Sequence, residues 1–237
     1  MQSKSAKLTL ISVLLFLVLA PLTIILSATY LESSNYYVSA VIIIILSIVP
    51  FFVFFENRKI KTSEIVIVSM MIALAVASRA VMAFVPQLKP TCAIVIVTAI
   101  AFGPNVGFVT GSLSMLVSNL IFGQGMFTPF QMLGMGLVGF FCGLIFSKSP
   151  YKTDRLIVSI TGGIICFLVY GLVVDSCSVL MFVTDYTPKA ILSVYTTGIP
   201  YNAIHAVTTA ILLLFINKPM TDKFTRLRVK YGIFELE

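Results

Sequence analysis

The sequence predicts an all-α membrane protein, and three observations support this fold class. Of the 237 residues, 59% are hydrophobic and 11% are charged, and the mean hydropathy is +1.06, far above the values of soluble domains. The apolar residues fall into eight runs, most of them long enough to cross the roughly 30 Å hydrocarbon core as helices. Basic residues cluster in alternate loops. We therefore predict eight spans, with both termini in the cytoplasm.

The spans divide the chain into three parts. Residues 1–60 form an accessory N-terminal transmembrane hairpin, whose first apolar run is too long for a typical signal peptide and is followed closely by a second. Residues 61–217 form a six-helix core, and residues 218–237 form a basic cytoplasmic tail. In chain order, the predicted spans are 8–28, 38–55, 65–84, 91–102, 106–121, 130–146, 156–183 and 190–216.

The fourth span, 91–102, is short for a helix that crosses the membrane. We expect it to be tilted, or joined to the fifth span as a short hairpin. The connecting residues Gly103, Pro104 and Asn105 are typical of a tight turn.

Orientation follows from the basic residues, because Lys and Arg near helix ends favour the cytoplasmic side. With the N-terminus inside, only Lys89 and Lys189 among the loop cations fall outside, whereas the inverted topology would place nearly all of them outside. The net charge of +7 is then explained by topology and by attraction to anionic membrane lipid. It requires no nucleic acid partner.

Several kinds of chemistry are not expected. The four cysteines, Cys92, Cys142, Cys166 and Cys177, lie in apolar spans without CxxC spacing, so we interpret them as buried thiols and predict no metal site. The sequence contains no Walker motif, no HExxH and no dinucleotide fingerprint. We therefore predict no cofactor and no intrinsic ATPase activity.

Polar residues in the spans concentrate in the predicted outer halves. Such groups are costly in a membrane and usually mark a binding site or a paired contact. The inner halves are almost purely apolar, which argues against a channel and favours a protein that captures a ligand outside. On the last span, one helical face carries Tyr195, Gly198, Asn202, His205 and Thr209 at spacings of three or four residues.

The segment 122–132, FGQGMFTPFQM, combines glycines, glutamines and aromatic residues between two apolar runs. We interpret it as a ligand-binding loop, although its Phe residues also fit interfacial anchors. Together with the outer polar residues it gives the predicted substrate-binding set: Arg79, Gln87, Lys89, Asn119, Phe122, Gln124, Phe127, Phe130, Gln131, Asp175, Tyr195 and Asn202.

Alternative roles stay open for several of these residues. Arg79 and Asp175 either neutralise one another within the bundle or contact the ligand. Asn202 and His205 either bind the ligand or form hydrogen bonds between helices.

Small residues mark two kinds of helix surface. Gly103, Gly107 and Gly111, and likewise Gly136, Gly139 and Gly143, are interpreted as packing within the bundle. The first core span carries a further face of small residues, which serves either internal packing or the docking of a partner protein. That face consists of Ser69, Ala73, Ala77 and Ala80.

The runs MIALAVASRAVMAFVPQLKP (71–90) and AFGPNVGFVTGSLSMLVSNLIFGQGMFTPFQMLGMGLVGFFCGL (101–144), with the six-helix core, resemble the substrate-binding S components of energy-coupling factor (ECF) vitamin transporters. The resemblance covers about 62–217. Within it, Ala73 and Ala77 form an AxxxA pattern similar to the signature by which S components dock on their coupling subunit. The FGQG and TPFQM elements most resemble the cobalamin branch, but Phe127 and Phe130 stand where that branch is expected to have tryptophan.

The resemblance implies a subunit in the bacterial cytoplasmic membrane that binds a vitamin in an outward-facing pocket. It would associate with a transmembrane coupling subunit and two ATPase subunits, and would deliver the ligand by toppling in the membrane. We expect cobalamin or a related corrinoid, with pantothenate and a flavin as alternatives. Two other classes stay open, namely a secondary transporter coupled to protons through Asp175 and, less favoured, a membrane hydrolase with His205 and Ser112 or Ser114.

Overall fold

The computed structural model describes residues 42, 45, 46, 61–85, 88–185 and 187–233. Within them the chain is all-helical, with six helices as predicted for the core, and five of these are long and apolar enough to cross a membrane. Apart from residues 42, 45 and 46, the predicted N-terminal hairpin lies outside the described residues, so the total of eight spans and the location of both termini stay predictions. The helices are α1 (Thr62–Val81), α2 (Thr91–Phe102), α3 (Pro104–Phe122), α4 (Thr128–Phe146), α5 (Arg155–Phe182) and α6 (Pro188–Tyr231).

The short fourth span is confirmed as α2, a helix of 12 residues that are all buried. It ends at Phe102, and the following residue, Gly103, has a φ of 102°, which lies in the left-handed region that favours glycine. Pro104 then begins α3, where its missing N–H costs no helical hydrogen bond. The predicted hairpin between the fourth and fifth spans is therefore present.

Helices α3 and α4 approach one another closely along a line of glycines. A Cβ atom added at Gly107 would lie 2.8 Å from the carbonyl oxygen of Gly139, and one added at Gly111 would lie 2.4 Å from that of Met135. Larger side chains would push the two backbones apart, because a close approach of this kind requires small residues. The predicted packing role of these glycines is confirmed.

Helix α5 begins where the Asp154 carboxylate accepts hydrogen bonds from the backbone N–H groups of Leu156 and Ile157, at 2.9 and 3.0 Å. Its middle contains a π turn, Cys166–Tyr170. Such turns insert extra backbone into a helix and are frequent at functional sites.

Helix α6 extends further than the sequence predicts. The last span was expected to end at residue 216, but the helix continues to Tyr231 and has 44 residues, or about 66 Å at 1.5 Å per residue. The added turns pack beneath α2, where the Phe224 ring lies 5.1 Å from that of Phe102. There the Arg228 guanidinium donates to the carbonyl oxygen of Ala101 at 3.2 Å. The basic segment after residue 217 is therefore helical as far as Tyr231.

The bundle has two chemically different ends. One end carries the starts of α2, α4 and α6, and with them Lys89 and Lys189; we call it the Lys89 end. The opposite, basic end carries Lys148, Lys152 and the last turns of α6. Between the two ends, a buried apolar cluster includes Ile96, Ile100, Phe146, Val158 and Leu213.

Candidate functional site

A cavity of about 430 Å³ lies toward the Lys89 end of the bundle. The second half of α5 and the first half of α6 form most of its wall, and the start of α4 and the loop before α2 complete it. Aromatic surface comes from Tyr170 and Tyr201, with His205 beside them. Polar lining groups include Lys89, Gln131, Asp175, Ser178, Thr197 and Asn202.

Asp175 and Asn202 form the polar centre of the cavity wall. The Asn202 side-chain amide donates to the Asp175 carboxylate at 2.7 Å, and Asp175 is 9% exposed. Two glycines make room for the pair: a Cβ at Gly198 would lie 2.5 Å from Asp175 Oδ1, and a Cβ at Gly171 would lie 2.8 Å from Asn202 Nδ2. Because the pair is held by a charge-assisted hydrogen bond, it presents a fixed set of acceptors and donors to the cavity.

Arg79 reaches the cavity through a chain of hydrogen bonds. Its guanidinium donates to Asn119 Oδ1 at 2.8 Å, and the Asn119 amide donates to Gln131 Oε1 at 2.9 Å. Gln131 lines the cavity, whereas Arg79 and Asn119 lie behind it. Asn119 is fully buried and also donates to Thr128 Oγ1 at 3.0 Å, so this network fixes the position of the Gln131 amide.

Arg79 and Asp175 have different partners in the described part of the chain. The Arg79 guanidinium donates to Ser118 and Asn119 and lies 4.9 Å from the centre of the Phe122 ring, an arrangement that stabilises a cation over an aromatic face. Asp175 accepts from Asn202 instead. Of the two roles left open by the sequence, mutual neutralisation is not observed.

The predicted binding loop contributes less to the cavity than expected. Phe130 is fully buried in an apolar cluster with Phe108 and Leu133, because it occupies the inward face of the first turn of α4. The Gln124 side chain folds back along α3 and donates to the carbonyl oxygen of Leu116 at 2.9 Å. Phe127 packs over Gly125. None of Gln124, Phe127 and Phe130 lines the cavity, so ligand contact by these three stays a prediction without geometric support.

Of the other predicted residues, one lines the cavity, one lies just outside it and one lies outside the described residues. Lys89 lines the cavity, and burial, together with the charge of Arg79, lowers the pKa of Lys89. The Tyr195 hydroxyl forms a hydrogen bond of 2.8 Å with Ser176 just outside the cavity. Gln87 lies outside the described residues.

Sequence reasoning missed the aromatic wall. Tyr201 lies four residues after Thr197 and one before Asn202, so helical spacing on α6 is a signal that places it on the cavity side. Tyr170 lies in the π turn, and its ring centre is 5.0 Å from that of His205, in an edge-to-face arrangement. No sequence pattern indicates a π turn, so this position could not be predicted.

A model of one protein family, the S component of ECF-type riboflavin transporters, matches residues 59–222. The match spans well over half of the chain. It includes helices α1 to α5 and most of α6, and with them every described residue of the cavity wall. No curated protein and no solved structure matches the chain.

Proposed function

Because this chain belongs to the family of S components of ECF-type riboflavin transporters, we propose that it captures a flavin in the cavity beside Asp175 and Asn202. Members of the family are substrate-binding subunits of vitamin transporters and are not enzymes. The activity to be explained is therefore recognition and delivery. The family match is the observation that carries the assignment of a flavin.

The chemistry of the cavity suits a flavin. An isoalloxazine ring is a flat aromatic body with amide-like donors and acceptors along one edge, and its ribityl chain carries hydroxyl groups. Tyr170 and Tyr201 offer aromatic surface for the ring. Gln131, Asp175 and Asn202 offer the donors and acceptors that would fix its orientation, as expected for a mostly apolar pocket with a few placed polar groups.

The size of the cavity also favours a flavin over the corrinoid that the sequence led us to expect. Its volume of about 430 Å³ lies in the lower part of the roughly 300 to 1,000 Å³ range of small-molecule sites. A corrinoid, with its macrocycle and nucleotide arm, is several times larger than riboflavin. The family match names riboflavin and gives the cobalamin branch no support. The missing tryptophans at Phe127 and Phe130 agree with this revision.

ATP-driven delivery requires partners, because the sequence has no ATP-binding motif. Family membership implies an ECF module, made of a coupling subunit and ATPases. For the docking surface we propose the small-residue face of α1. Ser69, Ala73 and Ala77 are exposed and Ala80 is partly exposed, which favours the docking alternative over packing within the bundle. A smooth face of this kind allows close helix approach, and toppling would carry the loaded cavity across the membrane.

The two other classes receive less support. Ser112 donates to the carbonyl oxygen of Met132 at 3.0 Å, and Ser114 donates to that of Thr110 at 2.6 Å, so neither serine is activated by His205 as a hydrolase would need. A proton-coupled carrier through Asp175 would transport without ATP. Uptake by vesicles that contain this chain but no ATPase would support that alternative.

Titration of the purified chain with riboflavin tests the proposal, because flavin fluorescence is quenched when the ring stacks on tyrosine. We expect saturable quenching at one flavin per chain, and weaker binding for Asn202→Leu, which removes the amide but keeps a similar volume. Ile211→Leu, on an exposed part of the same helix, is the matched control. Binding of cobalamin, with no response to riboflavin, would overturn the flavin assignment and restore the corrinoid.

A further inference from the structure

We propose that Cys92, Cys166 and His205 bind one thiophilic divalent cation, with Zn²⁺ as the reference ion, beneath the floor of the cavity. The ligand atoms of the three side chains all lie within 4.8 Å of one another, and all three residues are buried. No spacing in the sequence indicates this cluster, because each residue comes from a different helix.

The three helices meet at one depth in the bundle. Cys92 lies in the first turn of α2, Cys166 begins the π turn of α5, and His205 lies in the first half of α6. Bonds of about 2.3 Å to sulfur and 2.0 Å to nitrogen in a tetrahedral site place ligand atoms roughly 3.5 Å apart. Separations of up to 4.8 Å would therefore have to shorten by at most about 1.3 Å when the ion binds.

His205 provides the second, independent observation. Its side chain is 3% exposed, and its Nε2 atom has no hydrogen-bond partner, which is unusual for a buried polar atom. An imidazole nitrogen without a partner is an available metal ligand. His205 also lines the cavity, so the proposed site adjoins the cavity, from which the cation would enter.

The charges of the proposed site balance. A divalent cation held by two thiolates and a neutral imidazole forms a complex with no net charge, which removes most of the cost of placing an ion in an apolar interior. Binding transfers the two thiol protons to solvent, since the thiolate is the ligand. The Thr209 hydroxyl donates to the Cys166 sulfur at 3.7 Å, a contact that would hold this ligand in position.

The chain contains its own controls. Cys142 and Cys177 are equally buried thiols, but they lie outside the cluster. Cys177 contacts the Met181 sulfur at 3.7 Å instead. Serine substitution at these two positions therefore removes a thiol from the interior without removing a ligand.

Cadmium titration of the purified, reduced full-length chain, followed by the ultraviolet thiolate-to-metal band, tests the site without any vitamin. We expect one Cd²⁺ per chain and competition by Zn²⁺. The band should be lost in Cys92→Ser and Cys166→Ser and retained in Cys142→Ser and Cys177→Ser. In His205→Ala, which keeps both thiols, we expect weaker binding. Size-exclusion chromatography should show all variants folded.

Two results would overturn the proposal. One is the absence of stoichiometric binding by the reduced wild-type chain. The other is a band that survives in Cys92→Ser and Cys166→Ser or disappears in the two control variants. Because the readout is the metal band, a failed flavin titration leaves this test unaffected, and a failed metal titration leaves the flavin proposal unaffected.

Discussion

Replacement of Gly198 by alanine tests the geometry of the cavity most directly. The added Cβ would lie 2.5 Å from Asp175 Oδ1 and 2.6 Å from Oδ2, closer than real Cβ contacts come. The carboxylate must therefore move, and it is held in place by the hydrogen bond of 2.7 Å from Asn202. We expect Gly198→Ala to break this bond and to displace the two polar groups at the centre of the cavity wall.

The expected magnitude follows from two opposing effects. A hydrogen bond to a charged group contributes about 1.5 to 3 kcal/mol, whereas exchanging glycine for alanine inside a helix stabilises it by about 1 kcal/mol. The net loss in free energy of unfolding is then about 0.5 to 2 kcal/mol. If the displaced carboxylate also loses one contact with the flavin, the dissociation constant rises by roughly 10- to 150-fold.

Flavin titration and thermal unfolding of the purified variant measure these two quantities. Gly163→Ala is the matched control, because its Cβ would lie 3.2 Å from both Ala206 O and Ala210 Cβ, on a lipid-facing groove away from the cavity. We expect the control to bind riboflavin as the wild type does. An unchanged dissociation constant in Gly198→Ala would refute the placement of the ligand against Asp175.

Three further predictions concern other parts of the molecule. Gly111→Ala places a Cβ 2.4 Å from the backbone oxygen of Met135. The resulting overpacking costs about 1 to 3 kcal/mol and should lower the melting temperature in detergent. An unaltered melting temperature would contradict the close approach of α3 and α4. Asn119→Ala should weaken riboflavin binding roughly fivefold, the equivalent of about 1 kcal/mol, because the Gln131 amide loses the hydrogen bond that holds it. Equal titration curves for the variant and the wild type would show that the Asn119 hydrogen bonds do not position the ligand. Ala73→Leu should reduce copurification with the coupling subunit but leave riboflavin binding unchanged, and full recovery of the complex would exclude this face as the docking site.

The helices of the core were largely predictable, because hydropathy and turn residues point to the same boundaries. The turn residues at Gly103 and Pro104 fixed the end of α2 at Phe102, and the apolar runs located the other five helices. The end of α6 was not predictable in this way. Hydropathy falls after residue 216, but the helix continues because its later turns pack on Phe102 through Phe224, a tertiary contact that no local pattern reveals.

The candidate site was predicted in part, for a similar reason. Depth in the membrane and helical spacing identified Asp175 and Asn202, which the structure brings together. Aromatic character alone could not distinguish a cavity wall from a core, so Phe130 was assigned to the ligand although it is fully buried. The Cys92 and Cys166 cluster was missed because the pairing depends on which faces of α2 and α5 meet.

The packing below the cavity bears on how the ligand is released. A water-filled path toward the basic end would have to separate Ile96, Ile100, Val158 and Leu213, which are almost fully buried. Exposing four such side chains costs about 6 to 12 kcal/mol, which is comparable with the roughly 5 to 15 kcal/mol that stabilise a whole domain. Opening the bundle would therefore come close to unfolding it. Reorientation of the intact bundle keeps this cluster closed and exchanges only contacts between helices and lipid. We therefore favour toppling over a path through the protein, with the energy supplied by partners that hydrolyse ATP.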